Sequence, residues 1–219
     1  ADDPGMLAAA AELYAAYGVL FVEDQERAQR LTQRARGYAE RALCASNKDA
    51  CGISPLPFEE YTNALQDLGE RDVAPLYTFS LSWLANIQAS GGDMVAMSQL
   101  PRAEAALRRV ATIDPNYRAA DVAHYLGVLS TIRPPALGGK FEEGREYFER
   151  AILLTEGKDL SVKVDFARYY ARTLYERDLH DALLEEVLEA DATVPNLTLS
   201  NTLAQQTAAE LLLTADDYF

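Results

Sequence analysis

Apolar residues recur three and four positions apart along nearly every long segment of this chain, the spacing of one face of an α-helix. Phe141, Gly144, Phe148, Ala151 and Ile152 form one stripe, while Glu142, Glu143, Glu146 and Glu149 take the other faces. Ala103, Ala106, Leu107, Val110 and Ile113 form another. The pattern predicts helices near 5–22, 25–45, 58–68, 73–90, 101–113, 117–131, 140–156, 161–176, 179–190 and 197–217, with N-caps from the Asp159 and Asp178 regions. Residues 17–22, with β-branched and aromatic side chains, could instead make a strand. No second run is available to pair with it.

Neither stripe can bury itself alone, and the stripes align with one another as internal repeats. A small residue, an apolar one four later, a small or apolar one three after that, and then proline describe the second helix of a tetratricopeptide hairpin. Ala103, Leu107, Val110 and Pro115 fit in full; Gly144, Phe148 and Ala151 fit without the proline; Leu183, Val187, Ala190 and Pro195 fit with a larger first residue. Ala35, Ala39 and Ala42 make a weaker copy. The small residues let two helices approach closely, and proline cannot continue a helix. The copies recur at about 40 residues, longer than the roughly 34 of a regular unit, so each carries an insertion. One is Ile132 to Gly139; another begins at Gly91-Gly92-Asp93 and runs through a short helical piece to Pro101. Loops on a rigid stack are common binding positions. The predicted architecture is all-α: stacked helix hairpins in a tetratricopeptide-like α-solenoid, closed by a C-terminal helix. It forms a single domain over 1–219, with irregular units near 5–45, 73–115, 117–156 and 161–195 and a closing helix at 197–217.

Composition narrows the partners. The 219 residues are 49% hydrophobic and 25% charged, enough to bury a core. The formal net charge of −14 repels phosphate backbones and anionic headgroups, and no local Lys/Arg cluster is expected to break that trend, which excludes nucleic acid as a partner. No uninterrupted apolar run, Val19 to Val22 among them, approaches the roughly 20 residues of a membrane span. Ala1-Asp2-Asp3-Pro4-Gly5 has neither a basic nor an apolar signal region, which reads as a targeting segment already removed. The two cysteines, Cys44 and Cys51, flank a polar, turn-like stretch that can fold one back on the other. A disulfide there implies an oxidising compartment.

Candidate chemistry is sparse. His124 and His180 have no partner at metal-ligand spacing, and the sequence holds no HExxH, paired CxxC, GxSxG or phosphate-loop pattern. No catalytic residue, metal or cofactor is assigned. Glu185, Glu186, Glu189 and Asp191 fall mostly on a solvated helix face, and Gly138-Gly139 reads as a tight interhelical turn. Binding is better sought on the inner helices of the stack. Helical register turns Asp121 and His124, with Val128 and Thr131, inward on one such helix, and Asp165, Arg168, Arg172 and Tyr175 on another. Trp83, with Tyr77 and Phe79, either lines an apolar pocket or belongs to the core. The Pro134, Gly138 and Gly139 loop completes the set of candidate ligand or partner contacts.

Several of these segments in order, Pro134, Gly138-Gly139, Phe148-Glu149-Arg150-Ala151 and Asp165 to Ala171, resemble the T-component family of tripartite ATP-independent periplasmic (TRAP) transporters, often called TatT. Asp178 to Asp191 is similar to that family's penultimate helix. Asn201, Ala204-Gln205, Leu211-Leu212 and the acidic-aromatic end from Asp216 to Phe219 are similar to its closing helix. The resemblance implies a non-enzymatic periplasmic lipoprotein that forms homotrimers and engages the transporter's solute-binding protein, with apolar small molecules as cargo. It also implies a membrane link only through a lipid anchor trimmed from this chain, since Cys44 is too deep to be a lipobox cysteine. The alternative is a stand-alone scaffold gripping a peptide or protein in a concave groove. A dry apolar channel would favour cargo, and an open groove lined by Asp121, Arg168 and Arg172 would favour a peptide.

Overall fold

A computed structural model of the protein describes residues 3–219, less the side chain of Leu137. Ala1 and Asp2 of the terminal stretch read above lie outside the described residues. The regular structure of the described residues is all helical, with no strand; 17–22 continue a helix as far as Leu20. The helices gather into two compact units, Ala1–Tyr117 and Arg118–Phe219.

In the first unit α1 (Pro4–Leu20) and α2 (Gln25–Ser46) form a hairpin that packs on α4 (Val73–Ala89). Asp3 and Asp24 cap the first two helices, accepting from the backbone N–H of Met6 at 2.8 Å and Arg27 at 2.7 Å. These bonds satisfy amide donors that a helix N-terminus leaves without partners. At Gly18 a methyl group would lie 3.0 Å from Thr32 Cγ2 on α2, so α1 sits close against α2 there. The remaining helices are α3 (Phe58–Gln66), the short α5 (Met94–Met97) and α6 (Leu100–Ile113), which packs on α3 and α4. Asp72, at the start of α4, is buried but fully served. Asn47 Nδ2 donates to it at 3.0 Å, Ser46 Oγ at 3.1 Å and the Gly69 N–H at 3.0 Å. That carboxylate ties the end of α2 to the start of α4. Trp83 is at the centre of the core, edge-on to Phe79 at 5.2 Å and Tyr61 at 5.9 Å.

The second unit opens with α7 (Ala119–Thr131) against α8 (Phe141–Leu154). Gly127 and Gly144 lie where the two helices meet: a methyl at Gly127 would stand 3.1 Å from the Phe148 ring, and one at Gly144 only 2.4 Å from Thr131 Cγ2. The repeat pattern picked out Gly144, Phe148 and Ala151 for this contact, and Phe148 and Ala151 are wholly buried. Next come α9 (Leu160–Asp165), α10 (Arg177–Glu189), α11 (Thr198–Leu213) and the terminal turn α12 (Ala215–Tyr218). Asp159 caps α9 as expected, accepting from the Ser161 N–H at 3.1 Å. Asp178 does not cap α10: the helix begins at Arg177 and places it in the first turn, where an acidic side chain still meets the positive end of the helix dipole.

The helix predicted over 161–176 departs from expectation. After Asp165 the chain widens into a π-helical turn, Phe166–Ala171, marked by bonds five residues apart from Arg172 N–H to Ala167 O and Glu176 N–H to Ala171 O. An apolar spacing of four, as at Phe166 and Tyr170, suits either winding, so periodicity could not separate them. Both rings are buried, and they continue an aromatic row from Phe148, with Phe148–Phe166 at 5.0 Å and Phe166–Tyr170 at 5.1 Å. Asn201 on α11 joins the bundle by accepting from Leu160 N–H and donating to Lys158 O, while Gln205 donates to the Val187 and Ala190 carbonyls at the end of α10.

Candidate functional site

The insertion between α7 and α8 is a compact turn. Gly138 adopts a left-handed backbone (φ 85°), which glycine accepts without strain. Gly139 is required for a different reason: a methyl there would lie 2.0 Å from the Arg133 carbonyl oxygen. Lys140 N–H donates to Ser130 O at 2.7 Å and closes the turn, leaving Pro134 and Gly138 exposed at its tip.

Earlier on α7, His124 is buried and its Nε2 lies 2.9 Å from Asp165 Oδ2, the residue that ends α9. Burial opposes a charged imidazole. The hydrogen bond and charge of Asp165, with the charges of Asp159 and Asp121 behind it, outweigh that and hold His124 above the ordinary histidine range. Burial among the same carboxylates pushes the neighbouring Tyr125 hydroxyl up to about 12. Asp121 itself pairs with Arg118 at 3.6 Å and remains half-exposed. Arg168, inside the π-turn, and Arg172, which follows it, go separate ways. Arg168 is hydrogen-bonded to Tyr169, whereas the Arg172 guanidinium stacks 3.8 Å over the Tyr218 ring. Around that stack Tyr175, Tyr218, Phe219 and His180 form an aromatic clasp that holds the last residues on α10. The structure therefore brings His124 to Asp165 and commits Arg172 to the clasp.

The first unit holds a recess of about 450 Å³ lined by Arg36, Glu40, Ser54, Pro55, Trp83, Gln99 and Arg102. Arg36 and Glu40 are one turn apart on α2 and pair at 3.1 Å. The Arg36 guanidinium also stacks 4.1 Å from the Trp83 ring and donates to Gln99 Oε1 at 3.0 Å, the same oxygen that accepts the Trp83 indole N–H at 2.8 Å. Ser54 Oγ donates to Glu40 at 2.8 Å. Ser54 and Pro55 follow the bonded pair Cys44–Cys51, which pins this loop to the end of α2. Arg102, in the first turn of α6, lies over the rings of Tyr61 at 5.3 Å and Phe58 at 6.0 Å. Burial pushes the Tyr61 hydroxyl well above its ordinary value despite Arg102 and Arg36, and it donates to the Arg102 carbonyl.

Of this recess, sequence reasoning found only Trp83, which forms its floor while belonging to the core. Arg36 and Glu40 carried a readable signal, opposite charges four apart on one helix face. Ser54, Gln99 and Arg102 carried none. The expectation that no basic cluster interrupts the acidic surface is also corrected. Arg27, Arg30 and Arg34 recur on one face of α2 and, with Leu31 and Gln33, line a second recess of about 350 Å³. Spacings of three and four gather them once the helix forms. No group of three or more His, Cys, Asp or Glu side chains among the described residues is arranged to hold a metal ion, and no described helix is long and apolar enough to cross a membrane.

Compared with models of known families, the whole chain, residues 1–219, matches one described as the TRAP transporter T-component. No curated protein matches it.

Proposed function

The chain belongs to the TRAP transporter T-component family, and from that premise we propose that it serves as a non-enzymatic periplasmic accessory that binds the transporter's solute-binding protein. The match over the whole chain carries this reading. The proposal includes a homotrimer and a lipid anchor in the periplasm, as the resemblance implies, and tetratricopeptide-like hairpins for α1–α2 and α7–α8. The close approaches at Gly18, Gly127 and Gly144 support that description of the hairpins.

A protein partner is further supported by α1. Its packed side carries Leu7, Ala11 and Gly18, yet Met6, Leu13, Tyr17 and Leu20 on the same helix, with Phe21 just beyond, are exposed, Met6 and Leu13 by more than 70%. Contiguous exposed apolar side chains mark contact surfaces. The solute-binding protein is the occupant proposed for this face. Apolar cargo has less support, because the 450 Å³ recess is lined mainly by charged and polar side chains.

Size-exclusion chromatography with light scattering tests the proposal, using the purified chain alone and mixed with the solute-binding protein of the same transporter. The expected result is a trimer that forms a complex, and Leu13→Glu should abolish the complex while leaving the helical signal intact. A clean monomer at micromolar concentration that forms no complex overturns the reading.

A further inference from the structure

The recess between α2, α4 and α6 has a charge balance that the proposed role leaves unused. Arg36 is neutralised by Glu40 and held in place by Trp83 and Gln99. Arg102 is not neutralised: among the described residues it stacks on Phe58 and Tyr61 and reaches only the Ser54 carbonyl, at 3.5 Å. Two guanidinium groups against one carboxylate leave the recess one positive charge in excess, on a chain whose formal net charge is −14. From this we infer that the recess is a binding site for a small carboxylic acid, its carboxylate received by Arg102 and by the N–H groups of Arg36 not engaged by Glu40 and Gln99.

Three features select that ligand class. A guanidinium presents a planar fork of donors that matches a carboxylate, and a fork already packed against rings loses little freedom on binding. One negative charge brings the recess to neutrality, whereas a phosphate dianion or a dicarboxylate would leave an unmatched charge beside Glu40. The volume of about 450 Å³ lies in the range of small-molecule sites and exceeds what a bare carboxylate fills. Glu40, Ser54 and Gln99 remain at the walls to meet hydroxyl groups on the rest of the ligand. The inference does not depend on the solute-binding protein or on the trimer, and its test leaves both aside.

Trp83 is the only tryptophan in the chain and lies beneath Arg36, so its emission reports the recess directly. The full chain is titrated at constant ionic strength with acetate, lactate, succinate, inorganic phosphate and a short blocked acidic peptide. Lactate and acetate should change the emission saturably and bind more tightly than succinate or phosphate. Arg102→Gln should weaken lactate by roughly tenfold or more, as the loss of a charge-assisted hydrogen bond does, while Arg145→Gln in the other unit should change nothing. Glu40→Gln adds one net positive charge and should shift the preference toward succinate and phosphate. That arm decides the matter even where Arg102→Gln fails to fold. The inference is overturned by any of the following: no saturable response to lactate or acetate, phosphate binding at least as tightly, a response unaltered by Arg102→Gln, preferences unmoved by Glu40→Gln, or binding of the acidic peptide alone.

Discussion

Replacing Gly144 with alanine sets two effects of known size against each other. Alanine in a helix interior is favoured over glycine by about 1 kcal/mol, so with room for the methyl group the variant would be more stable. There is no room: the new carbon would lie 2.4 Å from Thr131 Cγ2, with Ser130 Cβ at 3.3 Å and the Gly127 carbonyl at 3.4 Å behind it. Forcing a methyl into a packed contact costs roughly 1–3 kcal/mol, so the net expectation is a loss of up to about 2 kcal/mol. Gly37 supplies the control. It lies inside α2 with nothing within 4 Å of the added carbon, and Gly37→Ala should gain about 0.5–1 kcal/mol. The cause can be isolated further. Thr131→Ser deletes the offending Cγ2 but keeps the hydroxyl that donates to Gly127 O at 2.9 Å. In that background Gly144→Ala should recover most of its loss. Urea denaturation followed by circular dichroism, run as a double-mutant cycle, gives all these values. Close helix approach at this glycine is refuted if Gly144→Ala matches or exceeds the parent, or if Thr131→Ser leaves its cost unchanged.

Protonated His124 is stabilised in the folded state by Asp165, so the fold binds that proton more readily than the unfolded chain. Its contribution is complete below the ordinary histidine value of about 6.5 and is lost as the pH rises through the higher folded value; melting temperature should therefore decline as the pH rises past that ordinary value in the parent and flatten in His124→Gln. Replacing both Cys44 and Cys51 with serine should cost about 2–3 kcal/mol by freeing the closed loop in the unfolded chain, read in urea as an earlier transition of Trp83 fluorescence; an unchanged midpoint counts against the bond. The stack of Arg172 on Tyr218 should appear as a coupling energy of about 0.5–2 kcal/mol between Arg172→Ala and Tyr218→Ala in a thermodynamic cycle, and strictly additive losses would show that the rings pack without it.

Local rules made the helices and their close contacts legible. Ala35, Ala39, Ala103, Leu107, Phe148 and Ala151 are all wholly buried, because a repeated small-then-apolar spacing has one face to bury and a neighbour to bury it against. The Cys44 to Cys51 loop was equally local. The π-turn at Phe166–Ala171 was hidden because one extra residue per turn leaves a four-residue apolar spacing undisturbed. The recess was hidden for another reason. Arg36, Ser54, Trp83, Gln99 and Arg102 lie on separate segments, and nothing in any one of them marks a shared destination. Arg172 was read as facing a groove because its register was counted along a regular α-helix; the structure stacks it over the Tyr218 ring.

The adjacent glycines of the α7–α8 turn leave different amounts of room for evolutionary drift. Gly138 is held by its backbone angle alone, with nothing within 4 Å of an added carbon. Asparagine, which tolerates the left-handed region better than other side chains, could therefore replace it at small cost. Gly139 has no such substitute, since any side chain would meet the Arg133 carbonyl at 2.0 Å. Across homologous chains the first position should wander among glycine, asparagine and aspartate while the second stays fixed, so the doublet contains one interchangeable letter and one frozen one.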